Sequence, residues 1–321
     1  MSEGSAAGSS RRLRRQRARR LREEGVWYPK FFWPSFATPA TIWMAILFVL
    51  PFYAVLSVAM GTVDAVFRNP IPVWQPWYWD ASQFADVFGK VFGGDALFRP
   101  AFIRTFVNVA AASALCLLIG YPVAYFVARF GGRRKGLYLV LLIAPFFISY
   151  LMRMLAWINL LEEDGYVNKA FTFLHILPEP YGWLEGHQLT LVLGLVYGYI
   201  PYMILPLFAG LDRIDDSLLE AARDLGASGV RTFVKVTLPL SKPAIMAGAV
   251  IVTLPMFGDY YTKDLLAKTP SQSMIGNLID GSVQTPGRGA QAAVLVLILS
   301  AILLVPMLYY LNTTAKETAE R

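Results

Sequence analysis

Two ionisable side chains, Asp259 and Arg153, stand inside long apolar runs of this 321-residue chain. Charges in such runs are costly and face the interior of a helix bundle rather than lipid. Each lies 16 positions after the start of its run, Leu137 for Arg153 and Pro243 for Asp259. On straight helices both would sit about 24 Å along the axis. The bland expectation is therefore an ion pair joining the two runs. Glu162-Glu163-Asp164, just past the run that holds Arg153, is an acidic cluster able to concentrate cations.

A second constellation has fixed spacing and lies between apolar runs: Glu220-Ala221-Ala222, Gly226, Val236, then Leu238-Pro239. Ser217 with Glu220 three residues on reads as a capping box, opening a helix through Leu218 to Leu225. Gly226 stops it, and Ser228 caps a second short helix with Val230, Phe233, Val234 and Val236 on one side. Pro239 is expected to break that second helix. Two short helices thus meet at a glycine, just outside a bilayer.

Other chemistry has no residues to carry it. Gly131-Gly132-Arg133-Arg134-Lys135-Gly136 lacks the spacing and the hydroxyl of a phosphate loop, so ATP is not expected to bind this chain. There is no H-E-x-x-H and no G-x-S-x-G, and neither His175 nor His187 has a plausible nucleophile beside it. Cys116 is the single cysteine, which excludes a disulfide framework and a Cys/His metal site.

The elements that must position these residues are membrane spans. The chain is 56% hydrophobic and 16% charged, where soluble domains carry about 25% charged residues. Six apolar runs reach span length: Ala40 to Met60, Thr105 to Ala128, Leu137 to Leu160, Leu189 to Gly210, Pro243 to Thr262 and Gln291 to Leu311. Each contains proline, which predicts an all-α, kinked polytopic bundle. With the N-terminus inside, 20 Lys and Arg fall in cytoplasmic segments and 7 in external ones, so both termini are expected in the cytoplasm. The organisation follows as a largely disordered Arg-rich segment over 1–38, a membrane domain over 39–312 with a cytoplasmic loop at 211–242, and a cytoplasmic tail over 313–321. Arg11 to Arg22 reads as a topology signal drawn to anionic lipid rather than a nucleic-acid arm. Trp74, Trp77 and Trp79 fit an interfacial aromatic belt.

The 220–239 spacing resembles the E-A-A loop of the inner-membrane permeases of ATP-binding-cassette importers, with Val236 standing where the family pattern has isoleucine. Thr105-Phe106-Val107-Asn108, Gly120 to Phe126, Leu142 to Ser149 with Arg153, Asp164 to Asn168, Gly258 to Tyr261 and Met274 to Ile279 are similar to the spermidine/putrescine permease subfamily, of the first-permease type. The resemblance covers roughly residues 104–311. It implies the six-span type I importer (MetI-like) fold, a bacterial inner membrane location and a non-catalytic subunit without a cofactor of its own. It also implies a second permease, two ATPases that use ATP and magnesium, and an external or periplasmic solute-binding protein as partners. Glu220, Ala221, Ala222, Gly226, Val236, Leu238 and Pro239 would then couple the chain to an ATPase.

Polyamine cargo needs acceptors and ring faces, and cation–π contacts supply about 0.5–2 kcal/mol each. Asp259 would receive an ammonium, with Tyr260, Tyr261, Trp157, Tyr150 and Tyr197 offering rings, Arg153 exchanging with the cargo, and Glu162 at the mouth. Another small amine or organic ion is the alternative cargo. A gradient-driven secondary transporter is the competing class, but no inverted repeat is visible and the loop has no role in it.

Overall fold

A computed structural model describes residues 31–94 and 96–319. The arginine-rich stretch Arg11 to Arg22 and the last two residues lie outside them. The chain divides into two units at Ala54/Val55. In the first, α1 (Phe32–Ala59, whose last turn belongs to the second unit) passes Pro39 and Pro51 without interruption.

The second unit opens with a two-residue hairpin, β1 (Thr62–Val63) against β2 (Pro70–Ile71), and the short helix α2 (Ser82–Phe92). Then come α3 (Arg99–Phe130), α4 (Lys135–Ile143), α5 (Tyr150–Leu161), α6 (Tyr166–Phe173) and α7 (Gln188–Asp212). Beyond α8 (Asp216–Asp224) and α9 (Gly229–Thr232) lie α10 (Leu238–Phe257), α11 (Tyr261–Leu266), α12 (Ile275–Gln284) and α13 (Gly289–Ala319).

Small residues build the centre. Ala101, Thr105, Asn108, Ala112, Cys116, Gly120 and Ala124 of α3 are buried at steps of three and four, one face of a helix. Opposite them lie Leu191, Leu195, Met203, Leu207 and Leu211 of α7, with Val252 and Met256 of α10 and Val294 and Leu295 of α13 in the same core. Lipid is as apolar as leucine, so close van der Waals contact across small side chains, not escape from solvent, holds such helices together.

Among the described residues, five helices are long and apolar enough to cross a membrane, namely Pro34–Ala59, Arg99–Phe130, Gln188–Asp212, Gly229–Phe257 and Gly289–Asn312. The third expected span is not one helix. Its halves, Gly132–Phe147 and Tyr150–Phe173, meet at 87°, and counted as one crossing they bring the total to six. Pro145 explains the break: lacking an N–H, it opens a 3₁₀ turn over Ala144–Phe147, and Ile148 and Ser149 then run extended. Pro122, Pro201 and Pro206, by contrast, stay inside continuous helices.

Candidate functional site

The polar centre gathers where two spans are interrupted. α10 ends at Phe257, and Gly258 and Asp259 form the turn into α11. Asp259 is only 7% exposed. Its Oδ2 accepts hydrogen bonds from the Tyr150 hydroxyl at 2.9 Å and the Tyr199 hydroxyl at 3.0 Å, while Oδ1 accepts from the Thr262 backbone N–H at 2.9 Å. Tyr150 also shares a very short hydrogen bond with the Thr262 hydroxyl. Three donors from three elements therefore satisfy a buried carboxylate, as a charge in low dielectric requires.

Arg153, also 7% exposed, does not pair with Asp259. Its guanidinium lies 4.2 Å from the Phe146 ring, 5.4 Å from Tyr150 and 5.9 Å from Tyr197, and its Nε and Nη1 are buried with no hydrogen-bond partner among the described residues. The expected ion pair is thus corrected. Two straight helices would place both residues at equal depth, whereas the chain bends before Arg153 and again at Gly258–Asp259. Tyr150 connects the two charges indirectly, with its hydroxyl on the carboxylate and its ring under the cation.

The other aromatic candidates divide. Trp157 meets Tyr197 edge-on at 5.2 Å, on the Arg153 side. Tyr260 and Tyr261 stack on each other at 4.1 Å rather than on Asp259. Glu162 is exposed at the end of α5, where its backbone carbonyl accepts from Asn168 Nδ2 at 3.1 Å. Asn168 spends its other capacity on Glu163, Tyr181 and Trp183, which fixes the segment after the acidic cluster. An open cavity of about 630 Å³ lies there, lined in part by Glu163, Asp164 and Lys169.

Sequence reasoning missed Tyr199, Thr262 and Gly198. A signal was present: Gly194 and Gly198 form G-x-x-x-G on α7, a spacing that admits close neighbours. A Cβ on Gly198 would fall 2.7 Å from the Tyr150 ring, and one on Gly194 2.7 Å from Thr262 Cγ2. These bare faces let α5 and α11 reach α7. Tyr197 and Tyr199, two residues apart and so about 200° apart around a helix, then serve Arg153 and Asp259 separately.

The second constellation sits in the loop between α7 and α10. α8 begins two residues before Ser217's expected capping role allows: Asp215 is the N-cap, and its carboxylate accepts the Ser217 N–H at 3.0 Å. An anion at a helix N-terminus outcompetes a hydroxyl. That N–H holds the Asp215 carboxyl below its ordinary range. At the other end Gly226 has φ +80°, its N–H bonded to the Arg223 carbonyl at 2.8 Å and the Ala227 N–H to the Ala222 carbonyl at 3.0 Å. This paired closure is the helix stop that a glycine favours.

Ser228 caps α9 as expected. Pro239, expected to end the second helix, does not break it. A π-helical turn, Phe233–Thr237, joins α9 to α10, and the Leu238 N–H bonds to the Phe233 carbonyl five residues back. The wide turn absorbs the missing proline donor, so helix continues from Gly229 to Phe257. Glu220, Ala221 and Pro239 are exposed and Ala222 and Val236 half-buried, while Leu225 is 88%, Val230 76% and Leu238 38% exposed. Such an apolar surface on a capped hairpin is suited to docking.

Residues 117–314 match the family described as "Binding-protein-dependent transport system inner membrane component". The chain belongs to this family. Membership makes it a membrane transport component, not an enzyme. The spermidine/putrescine transport system permease protein PotB of Escherichia coli (strain K12) is 35% identical over 185 residues, 58% of this chain and 66% of that protein. PotB of Haemophilus influenzae is 36% identical over 187 residues, 57% of this chain and 65% of its own. The match thus spans just under two thirds of these relatives. The xylose/arabinose import permease protein XacH of Haloferax volcanii is 27% identical over 174 residues, 52% of this chain and 53% of its own. Among solved structures, a chain of a bacterial alginate ABC transporter in complex with an alginate-bound periplasmic protein shares the fold, with TM-score 0.65, 17% identity and coverage of 94% and 97%.

Proposed function

We propose that this chain is a permease subunit of an ATP-driven importer for polyamines of the spermidine and putrescine type. Its partners are a second permease, two ATPases that hydrolyse ATP with magnesium, and an external binding protein that delivers the cargo. Both termini lie in the cytoplasm of a bacterial cell, and the 211–242 loop docks on an ATPase through its exposed apolar residues. The likeness to PotB supports the cargo class.

The observation that carries the reading is Asp259: a buried carboxylate held by neutral hydroxyls rather than by Arg153. Its Oδ2 donors, Tyr150 and Tyr199, are side chains that can turn away, so an arriving ammonium can take their place on the carboxylate. The rings remain to receive the methylenes and the charge. Exchange of neutral donors for a charged one offsets the desolvation of the ammonium, which a site filled by Arg153 would not permit. Closure of the ATPases would draw the docked loops together and turn the permease pair outward, ready for cargo released by the binding protein.

The test is uptake of labelled putrescine and spermidine by cells with and without this chain, with its partners present and other polyamine systems removed. Chain-dependent uptake that ATP depletion stops is expected, and Asp259→Asn should lower it while the assembled complex stays constant. Unchanged polyamine uptake without the chain discards the cargo. Loss of assembly in Asp259→Asn assigns the carboxylate to structure alone.

A further inference from the structure

α3 carries Tyr121, Tyr125 and Arg129 at intervals of four, so the three share one face of its last turns. That strip grips both arms of the 211–242 loop. Phe233, which begins the π turn of the second arm, lies edge-on between the Tyr121 and Tyr125 rings, with both centroids at 5.7 Å and both planes at 89°. The Tyr121 hydroxyl is 2.9 Å from that of Ser241 in the first turn of α10.

On the first arm, Arg129 Nη1 reaches Asp216 Oδ1 at 2.6 Å, and Nη2 donates to the carbonyls of Leu211 at 2.9 Å and Ile214 at 3.1 Å. Its side chain is 10% exposed. Lys135 adds a second tie, 2.6 Å to Asp212. The guanidinium adds a further donor to the Leu211 carbonyl in the last turn of α7, holds the Ile214 carbonyl just beyond it and touches the first residue of α8, a bridging geometry that lysine's single ammonium cannot match.

α7 and α10 are joined to the loop by the chain itself, whereas α3 meets it through side chains alone. We propose that the Tyr121–Tyr125–Arg129 strip carries movement of the loop into α3, with Arg129 as the positioning residue. Without it, displacement of the loop would be taken up at this boundary and α3 would stay behind. The proposal rests on the reading of the loop as an ATPase dock.

The experiment uses the complete complex in proteoliposomes, with its ATPases and binding protein, and reads labelled putrescine moved per ATP hydrolysed. Arg129→Gln and Phe233→Leu should assemble and hydrolyse ATP, yet move about tenfold less cargo per ATP, a typical size for coupling between sites. Arg129→Lys should fall between them and wild type. A purely structural role would lower the amount of complex and leave the ratio alone. Should Arg129→Gln fail to assemble, Asp216→Asn and Phe233→Leu decide in its place. A wild-type ratio in both overturns the proposal while the functional reading stands. Wild-type complex that couples no uptake to ATP overturns the functional reading itself.

Discussion

The 211–242 loop and the Asp259 centre are built by opposite means. The loop's two helices are shaped by neighbours in sequence: Asp215 caps α8, Gly226 closes it and Ser228 caps α9, each across a few residues, while the tethers to α3 and Lys135 are long-range. The Asp259 centre takes Tyr150 from α5, Tyr199 from α7 and Thr262 from α11. The comparison teaches that an exposed surface loop can be specified largely by local backbone rules. A buried polar site has to be assembled from distant segments, because each buried donor and acceptor needs a partner.

The sharpest way to break the comparison is Gly226→Val. The site has open space around a Cβ, so crowding is not the obstacle; φ of +80° is, and a β-branched residue there is strained by about 1–2 kcal/mol. The hairpin angle should be lost and uptake abolished with the complex still in the membrane. Normal uptake in this variant would overturn the proposed coupling role of the loop.

Gly198→Ala tests the other region by the opposite mechanism. Its backbone is unstrained helix, but the new methyl would press on the Tyr150 ring at 2.7 Å. Overpacking costs about 1–3 kcal/mol, so the melting temperature of the purified complex should drop and polyamine uptake should fall with it. Full uptake at unchanged stability would show that Tyr150 is not held where Asp259 needs it.

Arg153→Met sharpens the point that the two charges are not partners. Removing one member of a buried ion pair costs about 3–5 kcal/mol. Arg153 has buried nitrogens with no partner among the described residues and rests on rings, so methionine should leave thermal stability near that of the parent. A large loss would restore the ion-pair reading.

The smallest effect concerns Asp215. Its carboxyl is lowered in the folded loop by the Ser217 N–H, so the cap stabilises α8 above the ordinary carboxylate range and is lost as pH falls through the lowered value. Hydrogen exchange of the Ser217 to Leu219 amides should quicken on acidification, and Asp215→Ala should show the acid rate at neutral pH. Exchange independent of both would transfer the cap elsewhere.

Composition and periodicity alone determined that this is a helical membrane protein, because runs of apolar residues crossing lipid must satisfy their own backbone. The Glu220–Pro239 spacing determined the loop for a related reason: helix caps and left-handed glycine are properties of a few consecutive residues. Even there, the choice of Asp215 over Ser217 and the continuation through Pro239 depended on which backbone groups were free. Tertiary structure alone decided the Asp259 centre. Arg153 and Asp259 were visible as unusual charges, but two interrupted helices changed their directions, and the bare faces at Gly194 and Gly198 brought Tyr150 and Thr262 to the carboxylate. Partner choice for a buried charge is set by which groups packing brings within about 3 Å, a property that spacing along the chain does not contain.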